Sequence, residues 1–193
     1  MTKGEESRQR LIKCAAELFW KNGYSATGIS QILSQTGLPK GSFYFYFKSK
    51  DELAVAVTAY YQKLLLEHFQ SIAQGKEWEN FVEEVFDFLS ARTTGRNFAG
   101  CPYAVMGMET ALSRPNIAAA FMDGLKKLAN LFCDVLLYSG LSQNHAEVLS
   151  ERLLSVYQGE FLLGRISGDI SYLENTRKNM IETYKEYRTF HGI

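Results

Sequence analysis

The chain has 193 residues, of which 46% are hydrophobic, 13% aromatic and 22% charged, with 21 basic and 21 acidic side chains. That length buries a sizeable core, and the composition excludes disordered, collagen-like and disulfide-scaffold classes. No run of about eighteen apolar residues is present and the first ten residues are polar and charged, so no membrane span or signal peptide is predicted and the expected location is the cytoplasm.

Helical periodicity runs through the chain, and no alternating apolar runs flank its turns as hairpins require, so the fold class is all-α. A first helix over Ser7 to Asn22 places Leu11, Ala15, Leu18 and Phe19 on one face and ends at Gly23. A short second helix carries Ile29, Ile32 and Leu33 and stops before Gly37. After a few residues containing Gly37 and Pro39, a third runs from Lys40 to Phe45, which is helix-turn-helix punctuation. A fourth opens on Ser49 as N-cap with Glu52 completing a capping box, and its stripe of Leu53, Val57, Tyr60, Leu64 and Leu65 predicts one unbroken helix to near Gly75. Further helices are predicted over 77–92, 102–112, 116–138, 143–165 and 170–190. Gly95 and Gly100 bracket a loop, and Pro115, Gly140 and Gly168 mark later breaks.

Charge is unevenly spread. Residues 1 to 50 carry eight Lys or Arg against three Glu, and the remainder reverses the sign. A basic N-terminal module on an acidic body suits a polyanion at one end. The segment Lys40 to Lys50 interleaves aromatics with three lysines. At helical spacing Phe43 and Phe47 share one face and anchor the third helix, leaving Ser42, Tyr44 and Tyr46 to project. Hydroxyl and phenol groups hydrogen-bond phosphates and touch base edges or thymine methyls, while Lys40 and Lys50 straddle the backbone.

Thr27, Ile29, Ile32, Gly37-Leu38, Lys40 through Tyr44, Tyr46-Phe47 and Lys50 through Leu53 resemble the N-terminal signature of the TetR family of transcriptional regulators, over about residues 9 to 53. The resemblance implies a three-helix helix-turn-helix DNA-binding domain, residues 1–48, joined by a long helix to a helical-bundle ligand-binding and dimerisation domain, residues 49–193. It implies a homodimer on palindromic double-stranded operator DNA, a small-molecule effector that releases repression, no cofactor and no enzymatic activity. DNA contacts carry over to Lys40, Ser42, Tyr44, Tyr46 and Lys50, with Gly41 permitting close approach and Ser30 and Gln31 as lesser contributors. Pro39 departs from the pattern, since many members cap the recognition helix there with Ser or Thr, and Phe45 stands where a polar aromatic is frequent. A helical protein adaptor would leave the Tyr and Lys pattern unexplained. An enzyme is disfavoured because His68, His145 and His191 are scattered and no phosphate-cradling loop appears.

In the body, Trp78, Phe81, Phe88, Tyr103, Met106, Phe121, Phe132 and Phe161 line either a ligand pocket or the core. Glu109 and Glu160 interrupt apolar stretches, as ligand-orienting groups, salt-bridge partners or dimer contacts. Leu149, Leu153, Val156, Tyr157, Leu173, Met180, Ile181 and Tyr184 have the spacing of a four-helix dimer interface and equally of an internal core. Cys14, Cys101 and Cys133 show no metal or disulfide spacing. Cys101 precedes Pro102 at a predicted helix start, where the helix dipole favours thiolate and Arg92 or Arg96 would reinforce it. The Gly100-Cys101 segment, with Arg165 as the accompanying base, resembles the NemR-like branch that controls electrophile-detoxifying reductases. Cys101 is therefore either a sensor or a small buried hydrophobe.

Overall fold

The computed structural model describes residues 2–93 and 98–193, so Gly95 and Arg96 lie outside the described residues. Among those described there are helices and no strand. They are α1 (Lys3–Asn22), α2 (Ile29–Thr36), α3 (Lys40–Tyr46), α4 (Lys50–Tyr61), a π-helical turn (Gln62–Leu66), α5 (Glu67–Ala73), α6 (Trp78–Ser90), α7 (Pro102–Thr110), α8 (Pro115–Tyr138), α9 (Gln143–Ser167) and α10 (Ser171–His191). The chain forms two compact units, one of residues 1–65 with 102–124 and the other of residues 66–101 with 125–193.

In the first unit α1 begins four residues earlier than the apolar stripe indicates. A capping box starts it: the Thr2 hydroxyl accepts from the Glu5 amide at 3.3 Å and the Glu5 carboxylate accepts from the Thr2 amide at 2.6 Å. Leu11, Ala15 and Phe19 are fully buried, together with Ile32 of α2 and Phe43 of α3. Gly37, left-handed at φ 65°, closes α2, and Pro39 precedes α3 without a side-chain cap. Residues of α7 and the start of α8 complete this core. The Tyr103 ring lies 6.0 Å from that of Tyr61 and 6.3 Å from that of Phe121, and Tyr61 donates to the Ala16 carbonyl at 2.6 Å. Gly124 admits the Tyr103 ring, because a Cβ there would stand 2.1 Å from Tyr103 Cε1.

The long fourth helix is corrected in two ways. Ser49 accepts from the Glu52 amide at 3.1 Å, but the Glu52 carboxylate reaches past the cap to the Lys48 amide at 2.7 Å, so the box is displaced by one residue. The helix is also interrupted by the π turn. The buried stripe runs Leu53, Val57, Tyr61 and then, five residues on, Leu66, Phe69 and Ile72, whereas Leu64 of the predicted stripe is exposed. One extra residue in the turn shifts the phase, which a fixed 3.6-residue period cannot register.

The second unit is organised on Trp78. Its amide donates to Ser139 Oγ at 2.7 Å and its indole Nε1 to the Met180 carbonyl at 3.3 Å, so both polar groups of a fully buried residue are satisfied. Phe132, Phe81 and Tyr184 surround the indole at ring-centroid distances of 5.3, 5.8 and 6.4 Å. A second aromatic group joins Tyr157, Phe161, Phe86 and Phe98.

Candidate functional site

The seven-residue α3 divides its side chains by face. Phe43 and Phe47 are buried with rings 6.0 Å apart, and the Arg8 guanidinium lies 5.2 Å from the Phe47 centroid. These anchors fix the helix and leave Tyr44 52% and Phe45 80% exposed. Tyr44 stands edge-on to Phe43 and lines a shallow cleft of about 500 Å³ with Gly28, Ile29, Ser30, Leu33, Lys40 and Lys50. The structure therefore brings Ser30, Lys40, Tyr44 and Lys50 together. Gln31 and Ser42 are half-buried and outside that cleft, and Gly41 is exposed with open space where a Cβ would stand. Tyr46, expected to project, is half-buried, and its hydroxyl comes within 3.4 Å of where a Cβ on Gly4 of α1 would be.

Lys50 does more than its position suggests. Its ammonium donates to the carbonyls of Tyr24 and Thr27 at 3.0 and 3.1 Å and lies 4.1 Å from the Tyr24 ring centroid. Burial pulls its pKa down, against the opposing pull of the Asp51 and Glu109 carboxylates. It thus ties the first turn of α4 to the α1–α2 turn, a use of the amine that the expected phosphate contact did not include. The Tyr24 hydroxyl donates to Asp51, and its pKa is pushed up to about 12 by burial first and then by the Asp51 hydrogen bond and charge. Asp51 is bridged at 3.1 Å by Arg114.

Glu109 completes this arrangement. Its carboxylate accepts from the amides of Tyr24 and Ser25 at 2.6 and 2.7 Å. Gly23, at φ 92°, permits the approach twice over, since a Cβ would meet Glu109 Oε2 at 2.6 Å. A carboxylate from α7 thus occupies the turn after α1, in place of the ligand-orienting role open to it in the sequence. Tyr24, Asp51 and Arg114 escaped the sequence reading as site residues, and Gly23 was read only as a helix end, because the contacts span up to 85 positions and leave no local signature.

The aromatic candidates of the body do not form one group. Tyr103, Met106 and Phe121 belong to the first unit, whereas Trp78, Phe81, Phe132 and Phe161 belong to the second and are buried in the two aromatic groups above. Phe88 is half-buried between the Arg92 guanidinium at 3.6 Å and the His68 ring at 3.9 Å. Arg92 is therefore engaged there and on the Phe88 carbonyl. Cys101 immediately precedes α7 and is only 3% exposed, with the Gln158 amide nitrogen 3.5 Å from its sulfur. The thiol is buried because this segment packs on α9: Arg165 donates to the Ala99 carbonyl and its Cβ lies against Gly100. Cys14 and Cys133 are half-buried, and burial raises both thiol pKa values, with Glu17 adding to the first and Asp134 and Glu147 to the second.

Leu149, Leu153, Tyr157, Leu173, Met180 and Tyr184 are buried within the single chain, so the internal-core alternative holds for them. Leu162, Leu163 and Ile166 face outward at 41, 50 and 73% exposure. Beside them α9 and α10 form a groove of about 430 Å³ lined by Val156, Leu163 and Glu160, whose carboxylate accepts from Asn179 at 2.6 Å. Among the described residues no group of three or more His, Cys, Asp or Glu can hold a metal ion, and no helix is long and apolar enough to cross a membrane.

Residues 11–57 match the family model for bacterial regulatory proteins of the tetR family, and residues 78–179 match that for the C-terminal domain of LmrA/YxaF-like transcriptional regulators. The HTH-type transcriptional regulator YxaF of Bacillus subtilis is 29% identical over 175 residues, 88% of this chain and 90% of that protein. The HTH-type transcriptional repressor NemR of Escherichia coli is 26% identical, over 92% of this chain and 95% of its own. A TetR transcriptional regulator from Legionella pneumophila has the same fold, with a TM-score of 0.81 at 20% identity across 95% of this chain and 98% of that one.

Proposed function

Because the chain belongs to the tetR family of bacterial regulatory proteins, with an LmrA/YxaF-like C-terminal domain, we propose that it is a homodimeric repressor of transcription. It is a DNA-binding regulator of helix-turn-helix type. Residues 1–48 read the operator, and residues 49–193 hold the effector and the partner subunit. The observation that carries the reading is the exposed Tyr44 over a cleft shared with Ser30 and Lys40, on a helix whose other face is fixed by Phe43 and Phe47. A phenol, a hydroxyl and an ammonium on one surface suit a groove edge and its phosphates. The outward Leu162, Leu163 and Ile166 beside the α9–α10 groove support self-association there. A two-fold dimer sets its recognition helices about 34 Å apart and requires a palindromic site.

Release is assigned to a small hydrophobic or electrophilic effector. The repressor name of one relative supports the direction of control. The electrophilic alternative rests on Cys101, which stands immediately before α7 with the Gln158 amide nitrogen 3.5 Å from its sulfur. Fluorescence anisotropy with a pool of palindromic duplexes tests DNA reading directly. Binding by the dimer is expected at low salt and should fall steeply as salt rises, with a log–log slope near −0.9 for each neutralised phosphate. A verified dimer that binds no duplex at low salt overturns the proposal.

A further inference from the structure

We infer that Phe45 is a specificity-determining residue that reads the C5-methyl group of thymine in the major groove. The inference rests on the DNA-binding reading above and deepens it. Phe45 lies midway in sequence between the buried Phe43 and Phe47, yet its ring is 80% exposed and contributes nothing to the core that they build. It is nevertheless held in place, because the Tyr46 ring stands perpendicular to it at 4.9 Å. Tyr44 on the adjacent position carries a phenol that can hydrogen-bond a base edge or a phosphate. Phe45 has no such group, so whatever it recognises must be apolar.

The exposed lysines Lys40 and Lys48 flank it in sequence and make a polyanion the occupant that complements this surface. The major-groove edges of the four bases present acceptors, amino donors and one apolar group, the thymine methyl. An aromatic ring without polar atoms, on the helix that enters that groove, therefore discriminates by finding or missing that methyl.

The test uses the full-length protein and an operator selected by the wild type. Each thymine of a half-site is replaced in turn by uracil, which removes the methyl alone and keeps base pairing. Wild-type affinity is expected to fall about five- to tenfold at one or two positions per half-site, the scale of a modest apolar contact. Phe45→Ala should bind the thymine operator more weakly by a similar factor and lose its sensitivity to uracil at those positions. Phe45→Leu, which keeps an apolar side chain, should retain part of that sensitivity. Thermal unfolding should show all three proteins equally stable, since the ring is outside the core. Tight wild-type binding that is indifferent to uracil at every position overturns the inference and leaves DNA reading intact. So does Phe45→Ala with undiminished uracil sensitivity. A loss of affinity in Phe45→Ala with no methyl dependence in the wild type also overturns it, and assigns the ring to the sugar–phosphate backbone. Failure of the wild type to bind any duplex overturns both readings.

Discussion

Removing the Glu109 carboxylate should loosen the turn after α1 by an amount that can be worked from its contacts. In Glu109→Ala the Tyr24 and Ser25 amides lose acceptors at 2.6 and 2.7 Å. Hydrogen bonds to a charged group contribute about 1.5–3 kcal/mol each, and an amide left buried and unpaired adds its desolvation cost. Ser25 is exposed and recovers a water, so its share is small, while Tyr24 is buried and bears most of the loss. The sum is roughly 2–3 kcal/mol. For a chain of this size about 1 kcal/mol moves the melting midpoint by about 2–4 °C, so the variant should melt roughly 4–12 °C below the wild type. Glu109→Gln keeps one acceptor oxygen but turns an NH₂ toward one of the two amides, and should fall between the two. Differential scanning fluorimetry and urea unfolding measure both. A midpoint within 1 °C of wild type for Glu109→Ala, with the turn intact by amide exchange, would refute the assignment of the carboxylate as the fastener of that turn.

Tyr44→Ala should weaken operator binding about tenfold with no change in melting, whereas Lys50→Ala should lower both, because its ammonium holds two backbone carbonyls. Equal melting points for the two variants would contradict that distinction. Tyr24 titrates above its ordinary value, so the stability its neutral phenol supplies is complete below pH 10.0 and is lost as pH rises toward about 12. Urea midpoints measured across that window should decline more steeply for wild type than for Tyr24→Phe, and parallel curves would exclude the effect. N-ethylmaleimide should react slowly with the buried Cys101 and release DNA from wild type but not from Cys101→Ser. Equal responses would remove Cys101 as the sensor.

The helices themselves were legible because caps and breakers punctuate them locally: Gly23, Gly37, Pro115 and Gly168 stand at or beside helix ends as expected. The anchoring of α3 by Phe43 and Phe47 followed from their four-residue spacing. What periodicity could not resolve was which side of a helix meets which neighbour. Leu149, Leu153 and Met180 carry the same spacing whether they face a partner subunit or their own chain, and they proved internal. The contacts of Lys50 and Glu109 went unread for a related reason. The one was expected on a phosphate and the other as a ligand-orienting group, salt-bridge partner or dimer contact, and only long-range folding brings the Tyr24 and Thr27 carbonyls to the one and the Tyr24 and Ser25 amides to the other. The early start of α1 was available in Thr2 and Glu5 but lay outside the apolar stripe used to find the helix.

The π turn at Gln62–Leu66 carries an implication for changes in chain length. An α-helix advances about 100° per residue, so a stripe at 53, 57 and 61 continues naturally to 64 or 65, 68 and 71. The buried residues are instead 66, 69 and 72. Excising one residue from 62–65 would renumber them to 65, 68 and 71, and the whole stretch would read as a plain amphipathic helix. The turn is therefore stored slack. It makes this segment tolerant of a single deletion and intolerant of a further insertion, the reverse of what holds for a helix without such a reserve. A homologue one residue shorter here need not have lost anything, and its alignment gap belongs inside the helix rather than in the nearest loop.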